Sequence, residues 1–99
     1  MSKVILCDSQ TDKTLAEVSV DDQHKLIIKP ITNNQLFLNR LQDYISNIER
    51  HHVKSGSLLV PRSKALASVI LKDFAEGIDY NEVELSGNRF ITVSATYVE

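Results

Sequence analysis

Ninety-nine residues, 42% of them hydrophobic and 24% charged, suffice for one hydrophobic core but not two, and they are too apolar for a chain that stays disordered. A formal net charge of -2, with an isoelectric point near 5.9, excludes the dominant basic field of a general nucleic-acid binder and the strong acidity of a nucleic-acid mimic. No apolar run approaches the ~20 residues of a membrane-spanning helix. Met1, Ser2 and Lys3 lead into a strand-like stretch without a signal peptide's apolar region.

Three β-rich runs come first, at residues 3–7, 14–20 and 25–31. Polar clusters starting at Asp8 and Asp21 separate them. The middle run alternates, with Ala16, Val18 and Val20 on one face and Glu17 and Ser19 on the other. The outer two are continuously apolar, which predicts burial on both faces or an interior place in a sheet. Pro30 belongs at the end of its strand, because it has no N–H to give a ladder.

A helix is predicted to follow, with Thr32 as N-cap, Gln35 closing a capping box, and Ile31 and Leu36 as a hydrophobic staple. Phe37, Leu41, Tyr44, Ile45 and Ile48 then form one apolar stripe, opposite Arg40, Asp43, Asn47 and Arg50. The helix should end near Val53 and Lys54, before Gly56. A second helix is predicted from Pro61 to Ser63 onward. Leu66, Val69, Ile70 and Phe74 lie along one side of it, and Gly77 is placed as its left-handed terminus.

The chain closes with a hairpin in which Ile91, Val93, Ala95 and Tyr97 alternate with Thr92, Ser94 and Thr96. A two-residue turn at Gly87 and Asn88 would oppose Val83 to Thr92. A three-residue turn from Ser86 opposes Val83 to Ile91, and it is preferred because register follows the buried face. Asn88 would take the left-handed conformation there. The order β-β-β-α-α-β-β predicts an α+β fold. Its form is a single antiparallel sheet of about five strands with two helices packed on one face.

Signatures of chemistry are sparse. Gly56, Gly77 and Gly87 are too dispersed to cradle a phosphate, and no zincin or nucleophile-elbow motif occurs. The single cysteine, Cys7, can form neither an internal disulfide nor a zinc ribbon. In the run Val4-Ile5-Leu6-Cys7 it reads as a buried thiol, and the expected compartment is the cytoplasm. Adjacent His51 and His52 point about 100° apart on a helix and chelate one metal poorly. With Arg50 and Lys54 they complement the carbonyl end of the helix dipole. His24 reads as a solvated turn residue. The aspartates of the two early turns fall at opposite ends of a meander, too far apart for an acid/base pair. No catalytic, cofactor-binding or metal-binding residue is therefore assigned.

Residues 20–31, Val-Asp-Asp-Gln-His-Lys-Leu-Ile-Ile-Lys-Pro-Ile, resemble the closing strand of swapped-hairpin antitoxins and transition-state regulators. The rest of the chain does not follow that family, and neither function nor residue is carried over from it.

The link Ser57, Leu58, Leu59, Val60 is unusually apolar for a loop. Either it tucks under the helices or adds a short strand, or it exposes an apolar patch rimmed by Lys54 and Arg62. From residue 78 onward, Arg89 alone opposes Asp79, Glu82, Glu84 and Glu99. These features point to a small non-enzymatic protein-binding module, such as a regulator, inhibitor or accessory subunit. Its contact residues would be Leu58, Leu59 and Arg62, or Glu82 and Glu84. The alternative is a nucleic-acid-binding regulator using Arg50, His52, Arg62, Lys64 and Lys72, since Lys64, Ser68 and Lys72 share a helical line. Homodimerisation through residues 90–98, as an exposed edge strand, is a further expectation.

Overall fold

A computed structural model describes residues 2–55, 58–59 and 63–99, with side chains over 2–52 and 63–99. Three strands, β1 (Lys3–Asp8), β2 (Thr14–Val20) and β3 (Leu26–Pro30), precede helix α1 (Gln35–Val53). A two-stranded ribbon of β4 (Lys54–Ser55) and β5 (Leu58–Leu59) leads to α2 (Lys64–Ile78), then β6 (Glu82–Ser86) and β7 (Arg89–Val98). The five longer strands form one antiparallel sheet in the order β3-β2-β1-β7-β6. This is the expected α+β architecture. The added ribbon occupies the apolar link, with Lys54 opposite Leu59 and Ser55 opposite Leu58.

Period-2 alternation builds the core. Val4 stands opposite Val18 on one side and Tyr97 on the other, and Leu6 opposite Ala16 and Ala95. These rows share one face, which α2 covers across β7, β1 and β2, while α1 packs beside it and against β6. Phe37, Leu41 and Ile45 of α1 and Ile70, Leu71, Phe74 and Ile78 of α2 are buried there. Val69 is 48% exposed. The inward stripe of α2 runs through Ala67, Ile70, Leu71, Phe74, Ala75 and Ile78 instead, and Val69 lies a 100° step off it.

Two bulges interrupt the ladders, each beside a leucine that packs in the core. The β1–β2 register shifts so that Leu6 faces Ala16 while Cys7 faces Thr14, leaving Leu15 as the extra residue, buried beside Ala16. In β6, Glu84 faces Phe90 and Ser86 faces Arg89, so Leu85 is the extra residue and packs against the core. The second bulge reconciles the two predicted hairpins. The turn has two residues, with Gly87 at φ 51, yet Val83 still opposes Ile91. Asn88 is not left-handed, since Gly87 alone supplies the positive φ of this turn.

β1 is interior, as its continuous apolarity predicts, but β3 is an edge strand, with Ile27 44% exposed. The amides of Asp21 and Ile31 bond to the carbonyls of Lys25 and Leu15. By alternation, Lys25, Ile27, Lys29 and Ile31 then face β2, whereas Leu26, Ile28 and Pro30 face the free side. Pro30 thus sits where a neighbouring strand would need an N–H, which blunts this edge. β7 lies between β1 and β6, so the expected edge at residues 90–98 is not an open edge over its length.

The turns obey side-chain chemistry. Asp8 accepts from the amide of Gln10, and Asp21 from those of Gln23 and Lys25. Asp12 and His24 take the left-handed positions at φ 59 and 63. The cap of α1 is Asn34, whose Oδ1 accepts from the amide of Phe37 at 2.9 Å. Thr32 instead turns its hydroxyl to the amide of Asn34. The capping box and staple are therefore not formed, and Ile31 is 53% exposed. Ser63 caps α2 by accepting from Leu66. Gly77 stays helical, because the side-chain amide of Asn81 takes its carbonyl and the Asn81 backbone takes that of Ile78. The left-handed residue is Tyr80, at φ 61.

Asn34→Ala should cost about 1 kcal/mol in urea unfolding, the usual worth of an N-cap, and Thr32→Ala clearly less. The reverse order would place the cap at Thr32.

Candidate functional site

The titratable side chains are mostly held in pairs or turns. His52 at the end of α1 meets Asp73 of α2, Nε2 to Oδ2 at 2.6 Å, with 21% and 41% of the side chains exposed. The ring of His51 stands edge-on to that of His52, with centroids 5.2 Å apart. Sequence spacing could not foresee the pair, because its members lie on different helices. It joins the two helices as a clasp at the surface. Asp73 borders a shallow depression with Tyr44, Asn47, Ile48, Phe74 and Gly77, and that lining offers no nucleophilic serine or cysteine.

A cleft of about 440 Å³ opens between the β2–β3 turn and the start of α2. Asp21, Asp22 and His24 form one wall, with Lys64 and Ser68 opposite and Ser2 nearby. Asp21 and His24 therefore do meet in a concavity, on the surface rather than in the core. The Asp21 carboxylate already holds two turn amides through one oxygen. Among the described residues, no three histidine, cysteine, aspartate or glutamate side chains converge as a metal would require. Cys7 is half-buried rather than buried, its Sγ 3.7 Å from Thr14 Oγ1.

Of the nucleic-acid alternative, the described residues Arg50, His52, Lys64 and Lys72 differ in their surroundings. His52 is paired with Asp73, and the Nζ of Lys72 lies 5.2 Å from the centroid of the Tyr97 ring. Lys64 faces a cleft wall carrying two aspartates, which offset its attraction for phosphate. Arg50 is exposed. Arg62 and the side chains of Leu58 and Leu59 lie outside the described residues.

The closing hairpin is arranged differently. Glu82 opposes Thr92 and Glu84 opposes Phe90, on the sheet face turned away from Val83 and the helices. Arg40 of α1 reaches round to Glu84, Nη2 to Oε1 at 3.2 Å, so half of the expected acidic pair is already neutralised. Glu82 stays exposed, Phe90 is 54% exposed, and Tyr80, just before β6, is 73% exposed. The acidic residues were legible in the sequence. Their aromatic companions were missed, although a bulky residue ahead of a strand that begins with Glu82 was a usable signal.

No family model matches this chain, and no curated protein or solved structure is significantly similar to it. Among the described residues, no helix is long and apolar enough to cross a membrane.

A double-mutant cycle of His52→Ala and Asp73→Ala, read by urea unfolding, should give a coupling of about 0.2–1 kcal/mol, as for other exposed ion pairs. Zero coupling would mean that the clasp does not hold the helices together in solution.

Proposed function

We propose that this domain is a non-enzymatic protein-binding module whose contact surface is the outward side of the closing hairpin, centred on Tyr80, Glu82 and Phe90. One observation carries the reading. Tyr80 is 73% exposed while its backbone sits at φ 61. A left-handed conformation costs an L-residue roughly 1–2 kcal/mol, and glycine would occupy the position without that strain. An exposed ring recovers little of the cost through burial in its own fold. Strain of this kind is typical of residues kept for contact with something else.

The neighbours of Tyr80 support the same reading. Exposed aromatic residues beside a carboxylate supply the large, amphipathic contact area on which protein interfaces rely. His52 and Asp73 are engaged in a clasp, and Asp8 and Asp21 in turns, and no reaction is assigned to them. The partner is expected to present basic residues, since Glu84 is paired with Arg40 while Glu82 stays exposed, in no ion pair among the described residues.

Tyr80→Gly should raise the melting temperature by a few degrees. Relief of roughly 1–2 kcal/mol of strain is partly offset by roughly 0.5–1 kcal/mol of glycine chain entropy. The same variant should weaken partner capture about tenfold, or ~1.4 kcal/mol, when the full chain is expressed in its native cells. A more stable variant that captures its partner as well as the parent would sink the assignment. A shift of duplex DNA or RNA in a low-salt gel, lost as salt rises, would favour the nucleic-acid alternative.

A further inference from the structure

We propose that the groove between α2 and the tail of β7 accepts an extended, basic segment of a partner protein as an added β-strand. This rests on the protein-binding reading and names the kind of segment bound. Hydrogen bonding along β7 locates the opening. The carbonyl of Thr92 accepts from Ser9 on the β1 side, and alternation turns the backbone groups of Ser94, Thr96 and Val98 the same way. Val93 bonds on the other side, to the amide of Tyr80 at 2.7 Å and the carbonyl of Asn81 at 2.9 Å. The Ala95 amide follows on that side, donating to Asp79 Oδ1 at 2.9 Å.

Beyond this point the neighbouring strand is missing. β6 starts at Glu82 and pairs no further along β7 than Thr92, while Asp79 already caps α2. The Ala95 carbonyl and both backbone groups of Tyr97 therefore point to the β6 side. No bond is made to them there among the described residues. They open on a groove of about 290 Å³, walled by Lys72, Ala75, Glu76 and Asp79 of α2 and its cap. Unpaired backbone donors and acceptors in a groove are matched by another extended backbone. The two outer edges of the sheet are blunted, β3 by Pro30 and β6 by the bulge at Leu85 and its glutamates.

Charge selects the occupant. Lys72 lies over the Tyr97 ring, whose hydroxyl bonds to Ser2, and its one positive charge is outweighed by the carboxylates of Glu76 and Asp79 on the same wall. A second copy of this chain, paired about a two-fold axis, would bring the same carboxylates against each other, which opposes it. A basic segment is complementary, and it would run antiparallel to β7, in line with β6.

Amide hydrogen exchange by NMR on the full chain tests the proposal. In the free protein, Tyr97 should exchange much faster than Thr96 and Val98, whose amides bond β1. A blocked, alternating lysine–valine peptide should slow Tyr97 exchange about tenfold, an effect that fades with salt and weakens several-fold in Glu76→Lys. A Tyr97 amide as protected as Thr96 in the free chain overturns the proposal, as does unchanged exchange at saturating peptide. Equal binding of a glutamate–valine peptide overturns the charge selection. Protection that grows with protein concentration alone assigns the groove to a second copy and overturns it as well. Tyr80 does not line this groove. Failure here with Tyr80-dependent capture intact therefore removes the groove alone, whereas loss of both removes the binding function.

Discussion

The fold depends on β1 being paired on both sides. Its first partner, β2, is local and reached by a short turn, but its second, β7, comes from the far end of the chain, with Lys3 opposite Val98 and Asp8 opposite Val93. Until that pairing forms, Val4 and Leu6 have only half their row, and α2 lacks the β7 part of the surface on which Ile70, Leu71 and Phe74 lie. The first and last strands thus close the core over everything between them. Such long-range pairing has a large loop-closure cost before it is rewarded, so folding should be slow for a domain of this size.

With the sheet closed, the bulges become intelligible. A strict period of two in β2 would turn Leu15 away from the helices, whereas Leu85, two residues from Val83, is on the core face already. The extra residue in β2 brings Leu15 to the core face, and burying a leucine is worth roughly 1.5–3 kcal/mol. That outweighs the local break in the ladder. The bulge at Leu85 lets a two-residue turn keep Val83 opposite Ile91, and it also helps protect an edge strand from unwanted pairing.

Charged groups are arranged by the same geometry. Lys3 with Glu17, Arg40 with Glu84 and His52 with Asp73 join different elements. Each pair is partly solvated, so together they fix orientation more than they stabilise. Toward the end of the chain, Glu82 and the rings of Tyr80 and Phe90 stay exposed. Tyr80 joins these features, because its left-handed backbone turns the chain out of α2 and into β6.

Strand and helix positions, the inward stripe of α1, the turn aspartates and the acidity of the closing hairpin could all be read from the sequence. Each is governed by neighbours within a few residues, through side-chain periodicity, backbone hydrogen bonding or local charge. The cap of α1 was misjudged because Thr32 and Asn34 can both accept an amide hydrogen bond, and the exit from β3 decides which one does. Gly77 looked like the end of α2, yet Asn81, four residues on, reaches back to hold its carbonyl. Tertiary structure alone decided that β3 is an edge, that His52 finds Asp73, that Glu84 is claimed by Arg40, and that β7 loses its neighbour after Ala95. The physical reason is common to all four: each depends on which distant segments the closed sheet sets side by side.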